Sequence, residues 1–77
     1  MNLNQAKTKT WYAVEEVGTS DEELKSRFSN FGVLPGSKIL IKRKAPIFKD
    51  PFLIQTDDSQ IAITKFEATQ IQIKELT

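Results

Sequence analysis

A chain without histidine or cysteine lacks the usual near-neutral acid–base group, the commonest nitrogen ligand for metals and the thiolate ligand. Few other residues could do chemistry. Asp57-Asp58 could offer carboxylates to a hard cation, yet adjacent acids beside Ser59 have the composition of a solvated turn, so no metal site is predicted. The serines stand without a base to activate them. No glycine loop ends in lysine and a hydroxyl residue, so nucleophilic catalysis and nucleotide hydrolysis both lack their parts. Arg27 and Arg43 are the only arginines that could be lent to a partner's phosphoryl-transfer site. Arg27 is expected instead to brace a helix against its neighbours. These observations describe a binding module with no catalytic residue, no cofactor and no small-molecule substrate.

Two kinds of surface could do the binding. Lys38, Lys42 and Lys44 alternate with Ile39 and Ile41, with Arg43 and Lys49 nearby, and one strand face carrying these cations could neutralise phosphates. Nucleic-acid binding by this basic strand is the alternative function. Against it stand a net charge of +1 and the lack of aromatics interleaved with the cations for base stacking. The same face could greet an anionic inner leaflet as a helper to some other attachment. The second surface is apolar. Leu34, Pro35, Pro46, Ile47, Phe48, Leu53 and Phe66 fall in turns or on outward-facing parities, and together they are the predicted partner-binding residues.

The elements that must hold these residues are short. At 77 residues and 39% hydrophobic content the chain makes one domain with a thin core. Residues 1–9 are polar and without periodicity, which predicts a frayed leader ahead of a folded domain over residues 10–77. The leader has no apolar run of a signal peptide or a spanning helix, and the absence of cysteine suits a reducing cytoplasm. Trp11, Tyr12, Val14 and Val17 predict a first strand over 10–17. Ser20 and Glu23 form a capping box, starting a helix at Asp21 whose stripe is Leu24, Phe28 and Phe31, with Gly32 as its C-terminal cap. Leu34-Pro35-Gly36 is a turn, and Ser37 to Lys44 a second strand with Ile39 and Ile41 inward. After a loop over 45–51, Phe52 and Ile54 mark a third strand, Ile61 and Ile63 a fourth, and Ile71, Ile73 and Leu76 a fifth. Residues 65–70 make a short helical turn between the last two. The predicted architecture is mainly β: a small SH3-like five-stranded barrel, with one short α-helix after the first strand and a helical turn before the last.

With these motifs in order, the chain resembles the FeoA family of bacterial ferrous iron uptake, over about Trp11 to Ile73. The densest portion is Arg27-Phe28-Ser29-Asn30-Phe31-Gly32-Val33-Leu34-Pro35-Gly36. Ala45-Pro46, Asp50-Pro51, Ile61-Ala62-Ile63, Glu67-Ala68 and Ile71 follow at the family's spacing. Phe28 and Phe31 stand where the family has leucines, Lys49 where it commonly has glycine, and Thr64 where it often has arginine. The resemblance implies a cytoplasmic accessory protein that binds FeoB, a membrane ferrous iron transporter with a cytoplasmic GTP-binding domain. It leaves open whether such a protein stimulates GTP hydrolysis, gates transport or stabilises the complex. It also implies an SH3-like barrel, transition-metal-ion binding as a property of the family, and a place at the inner membrane through the partner. A monomer or a weak homo-oligomer is expected, since an exposed edge strand or the apolar loop could pair two copies.

Overall fold

The computed structural model describes residues 1–45 and 50–76. Five antiparallel strands, β1 (Trp11–Val17), β2 (Lys38–Lys44), β3 (Phe52–Gln55), β4 (Gln60–Ile63) and β5 (Ile71–Glu75), form one sheet in the order β4-β3-β2-β1-β5. Helix α1 (Glu22–Asn30) follows β1, and the single turn α2 (Lys65–Ala68) joins β4 to β5. Alternation decides what each strand buries. Tyr12 and Val14, Ile39 and Ile41, Phe52 and Ile54, Ile63, and Ile71 with Ile73 all face one core, which Phe28 of α1 and Ala68 of α2 close.

Helix α1 is bounded by side-chain and backbone caps. Its N-cap is Asp21, one residue later than the sequence suggested: the carboxylate accepts from the N–H groups of Glu23 and Leu24 at 3.0 and 3.2 Å, while Thr19 Oγ1 accepts from the Asp21 N–H. An aspartate carries full negative charge at the positive end of the macrodipole, which gives it an advantage over the neighbouring serine. The other end is a Schellman motif: Val33 N–H donates to the Phe28 carbonyl and Gly32 N–H to that of Ser29, with Gly32 at φ +85°. Phe31 is therefore the cap residue. It is 37% exposed rather than part of the inward stripe, whereas Phe28 has no exposed surface. Leu76, which the spacing groups with the inward residues of the last strand, is also exposed, because β5 ends at Glu75.

Thr56 fastens that helix end to the β3–β4 turn. Its buried hydroxyl donates to the Phe31 carbonyl at 2.8 Å and accepts from the Ser59 N–H at 3.2 Å. A Cβ on Gly32 would come within 3.2 Å of the same oxygen. Thr56→Val removes the hydroxyl while keeping the shape, leaving both partners unsatisfied. We expect a loss of about 1–3 kcal/mol, read as a lower urea midpoint; an unchanged midpoint would show the hydroxyl to be dispensable.

The leader is the main correction. Residues 1–9 are folded, not frayed: Leu3–Gln5 form a 3₁₀ turn in which Asn2 caps the Asn4 N–H and Gln5 reaches back to the Asn2 N–H at 2.9 Å. Leu3 and Ala6 enter the core. Asn2 bridges to Gln72, and the Met1 carbonyl accepts from the Ile73 N–H at 2.8 Å, so the leader lies along the outer edge of β5. Leu3 and Ala6, at i and i+3, suffice to anchor the turn because Asn2 and Gln5 satisfy its backbone.

A second correction concerns β2. Its pairing with β3 slips between Ile41 and Arg43, a bulge at Lys42. Beyond it, Lys44 pairs with the buried Phe52, so Lys44 belongs to the core side and its Nζ sits 4.7 Å from the Phe52 ring centroid. Lys42 stays exposed and Arg43, paired with Leu53, joins the outer face in place of Lys44. A strict period of two cannot reveal a bulge, which is why the sequence placed Lys44 beside Lys42.

Candidate functional site

Among the described residues, the predicted apolar patch is divided over three places. Phe66 is the most exposed large hydrophobic residue at 72%, and it borders a hollow of about 390 Å³ lined with Asp21, Glu23, Leu24, Arg27 and Glu67. Leu34, 45% exposed, and Pro35 border another of about 380 Å³ with Glu16, Val17, Lys25, Ser29 and Val33. Leu53 lies apart with Arg43, Ala45, Pro51 and Ala62, around about 250 Å³. Pro46, Ile47 and Phe48, and with them Lys49, lie outside the described residues.

The first two hollows belong to one feature. Leu24 and Arg27 occupy one flank of α1 and Lys25 and Ser29 the other, with the buried Phe28 between them at 100° per residue. Helix α1 therefore runs as a ridge with Phe66 beyond one flank and Leu34 beyond the other. The Leu34 turn is held from within: Ser37 Oγ donates to the Leu34 carbonyl at 2.6 Å and accepts from the Leu34 N–H at 3.1 Å. Phe66 sits in α2, whose N-cap Thr64 and Glu67 form a capping box.

The Phe66 hollow has a polar floor. Arg27 donates two parallel hydrogen bonds, each 3.1 Å, to the two oxygens of Glu67, whose carboxylate also accepts from the Thr64 N–H at 2.8 Å. The fork geometry fixes α1 against α2, which is the bracing role expected of Arg27. With side chains 43% and 16% exposed, the pair contributes only about 0–1 kcal/mol. Its role is orientation. With Glu67 paired to Arg27, Asp21 and Glu23 leave the rim net negative, so the hollow combines a projecting aromatic with negative charge. Sequence reading identified Phe66 but not Leu24, Arg27 and Glu67 as its neighbours, since a contact between residues 40 apart leaves no local periodicity.

Among the described residues no cluster of three or more acidic side chains is placed to hold a metal ion. Asp57 and Asp58 lie exposed in the turn that precedes β4. No helix in these residues is long and apolar enough to cross a membrane.

Comparison with known proteins places this geometry. The FeoA domain family matches residues 1–75. A Helicobacter pylori (strain ATCC 700392 / 26695) protein that carries the name Fe(2+) transport protein A is 31% identical over 75 residues, covering 97% of each chain. The solution structure of iron(II) transport protein A from Clostridium thermocellum is similar with a TM-score of 0.87 and 25% identity, over 99% of this chain and 46% of that one. The zinc complex of FeoA from Stenotrophomonas maltophilia, described as a prokaryotic SH3 domain protein, gives a TM-score of 0.82 at 22% identity over 96% and 89% of the chains. With a five-stranded SH3-like sheet, two helices and a family match that includes the leader, the chain belongs to the FeoA family of ferrous iron transport.

Proposed function

We propose that the protein is an accessory of bacterial ferrous iron uptake that works by binding, without turnover of its own, to the cytoplasmic face of a FeoB-type transporter through the α1 ridge and its two hollows. The observation that carries this reading is Phe66. Among the described residues its ring is the most exposed large hydrophobic side chain, at 72%, and it stands beside half-buried Leu24 and the carboxylates of Asp21, Glu23 and Glu67. Aromatic anchors of this kind dominate binding energies at interfaces, and the acidic rim suits a partner segment carrying apolar and basic residues. Iron is the transporter's cargo and needs no ligand from this chain under this reading.

The test is association of the purified domain with a FeoB-type transporter in detergent. Phe66→Ser should weaken it about 30-fold or more, and Leu34→Ser by less. Both side chains are exposed, so thermal unfolding should stay within about 0.5 kcal/mol of the parent. Undiminished association of the double variant would remove the ridge as the binding surface.

A further inference from the structure

The basic end of the sheet has a composition that the α1 ridge does not explain. Lys9, Lys42, Arg43 and Lys44 line one groove of about 500 Å³ with Ala6, Thr8 and Ala45, and no carboxylate of the described residues lines it. The leader and the bulge bring these cations together. Lys9 holds a left-handed backbone at φ +61° and its N–H donates to the Ile41 carbonyl at 2.7 Å, where the β2 register slips. Four cations converge here in a chain whose net charge is +1. The carboxylates Glu15 and Glu16 lie toward the opposite end of β1.

The sheet's outer face beside this groove is apolar. Trp11 and Leu40 are directly opposite one another and Leu53 is a diagonal neighbour on β3, all three half-buried on the side away from the core. Lys38 and Lys74, both paired with Ala13, flank them. We infer that this end of the sheet docks on an anionic phospholipid surface, with Lys9, Lys42, Arg43 and Lys44 on headgroup phosphates and Trp11, Leu40 and Leu53 toward the acyl boundary. The inference rests on the transporter reading, since a domain bound at a transporter has that surface within reach.

Charge complementarity selects this occupant. An extended peptide would need pockets for its alternate side chains, and the small side chains Ala6, Thr8 and Ala45 between the cations offer none. A nucleic-acid strand would need successive stacking platforms, and the only tryptophan is Trp11. A tryptophan beside cations is what a membrane interface favours.

The sole tryptophan makes the test direct. The full chain is titrated with phosphatidylglycerol-containing vesicles and with phosphatidylcholine vesicles, following Trp11 emission and co-sedimentation. The expected result is a blue shift and sedimentation with the anionic vesicles only, weakened by added salt. The double variant K42Q/R43Q, at exposed bulge positions, should bind about 25-fold more weakly, about five-fold for each cation. Its fold is checked by circular dichroism, and the salt titration of the parent stands as evidence if it does not fold. Phe66→Ser should bind vesicles like the parent. These vesicles contain no transporter, so a failure here is distinct from a failure of the ridge to bind one. No shift with anionic vesicles, an equal shift with neutral ones, unchanged affinity in a folded K42Q/R43Q, or an equal and equally variant-sensitive response to oligothymidylate would each overturn the inference.

Discussion

Leu3→Ala should lower the unfolding free energy by about 2–5 kcal/mol, and removal of residues 1–9 should leave no cooperative thermal transition at all. Leu3 has no exposed surface, and its turn also brings Ala6 into the core. A domain of this size has a total stability of only about 5–10 kcal/mol, so one vacated leucine site is a large part of it. Truncation goes further: it also strips the Met1 and Asn2 contacts from β5. Urea denaturation of Leu3→Ala measures the first effect and calorimetry of the truncated chain the second. A Leu3→Ala midpoint equal to the parent's would mean that the leader is detached in solution.

The second large effect separates two phenylalanines three residues apart. Phe28→Ala should cost about 3–5 kcal/mol, because the ring is wholly enclosed between α1 and the sheet, and Phe28 is also the carbonyl on which the Schellman motif closes. Phe31→Ala should cost far less, about 1 kcal/mol, since that ring is 37% exposed and the structural contribution of Phe31 is its carbonyl, which Thr56 holds. Equilibrium unfolding of both variants under one set of conditions decides it. Similar losses would mean that both rings share the core as one stripe.

How much of this was legible in the sequence follows from the range of each signal. Alternating isoleucines and phenylalanines gave the strands and their inward residues, because period-two burial is local and the chain is too short to mix it with anything else. Gly32 announced the helix end for the same reason, since few residues but glycine tolerate its φ. The capping aspartate was one position off because Ser20 and Asp21 both carry suitable oxygens. What failed were features decided by the rest of the fold. The leader's polar composition hid Leu3 and Ala6, although Asn2 and Gln5 have the spacing of a capping box. The bulge at Lys42 exchanged Lys44 for Arg43 on the outer face without any mark in residue type. Of the candidate partner-binding residues, Phe66 and Leu34 were found by the simple observation that the core had no room for them. The place of Phe66 beside α1 goes with the Arg27–Glu67 fork, and that of Leu34 at the other flank with the packing of the turn after the helix, neither of which local sequence displays.

The leader that covers β5 also governs how copies of the chain could join by extending the sheet. Among the described residues, one margin of the ribbon is closed by Met1 and Asn2 of the same molecule, leaving β4 as the margin at the other side. A body with a single open margin can add one neighbour there, and the added neighbour brings no further margin to continue from. Strand addition through the β4 margin alone therefore ends at a two-fold pair.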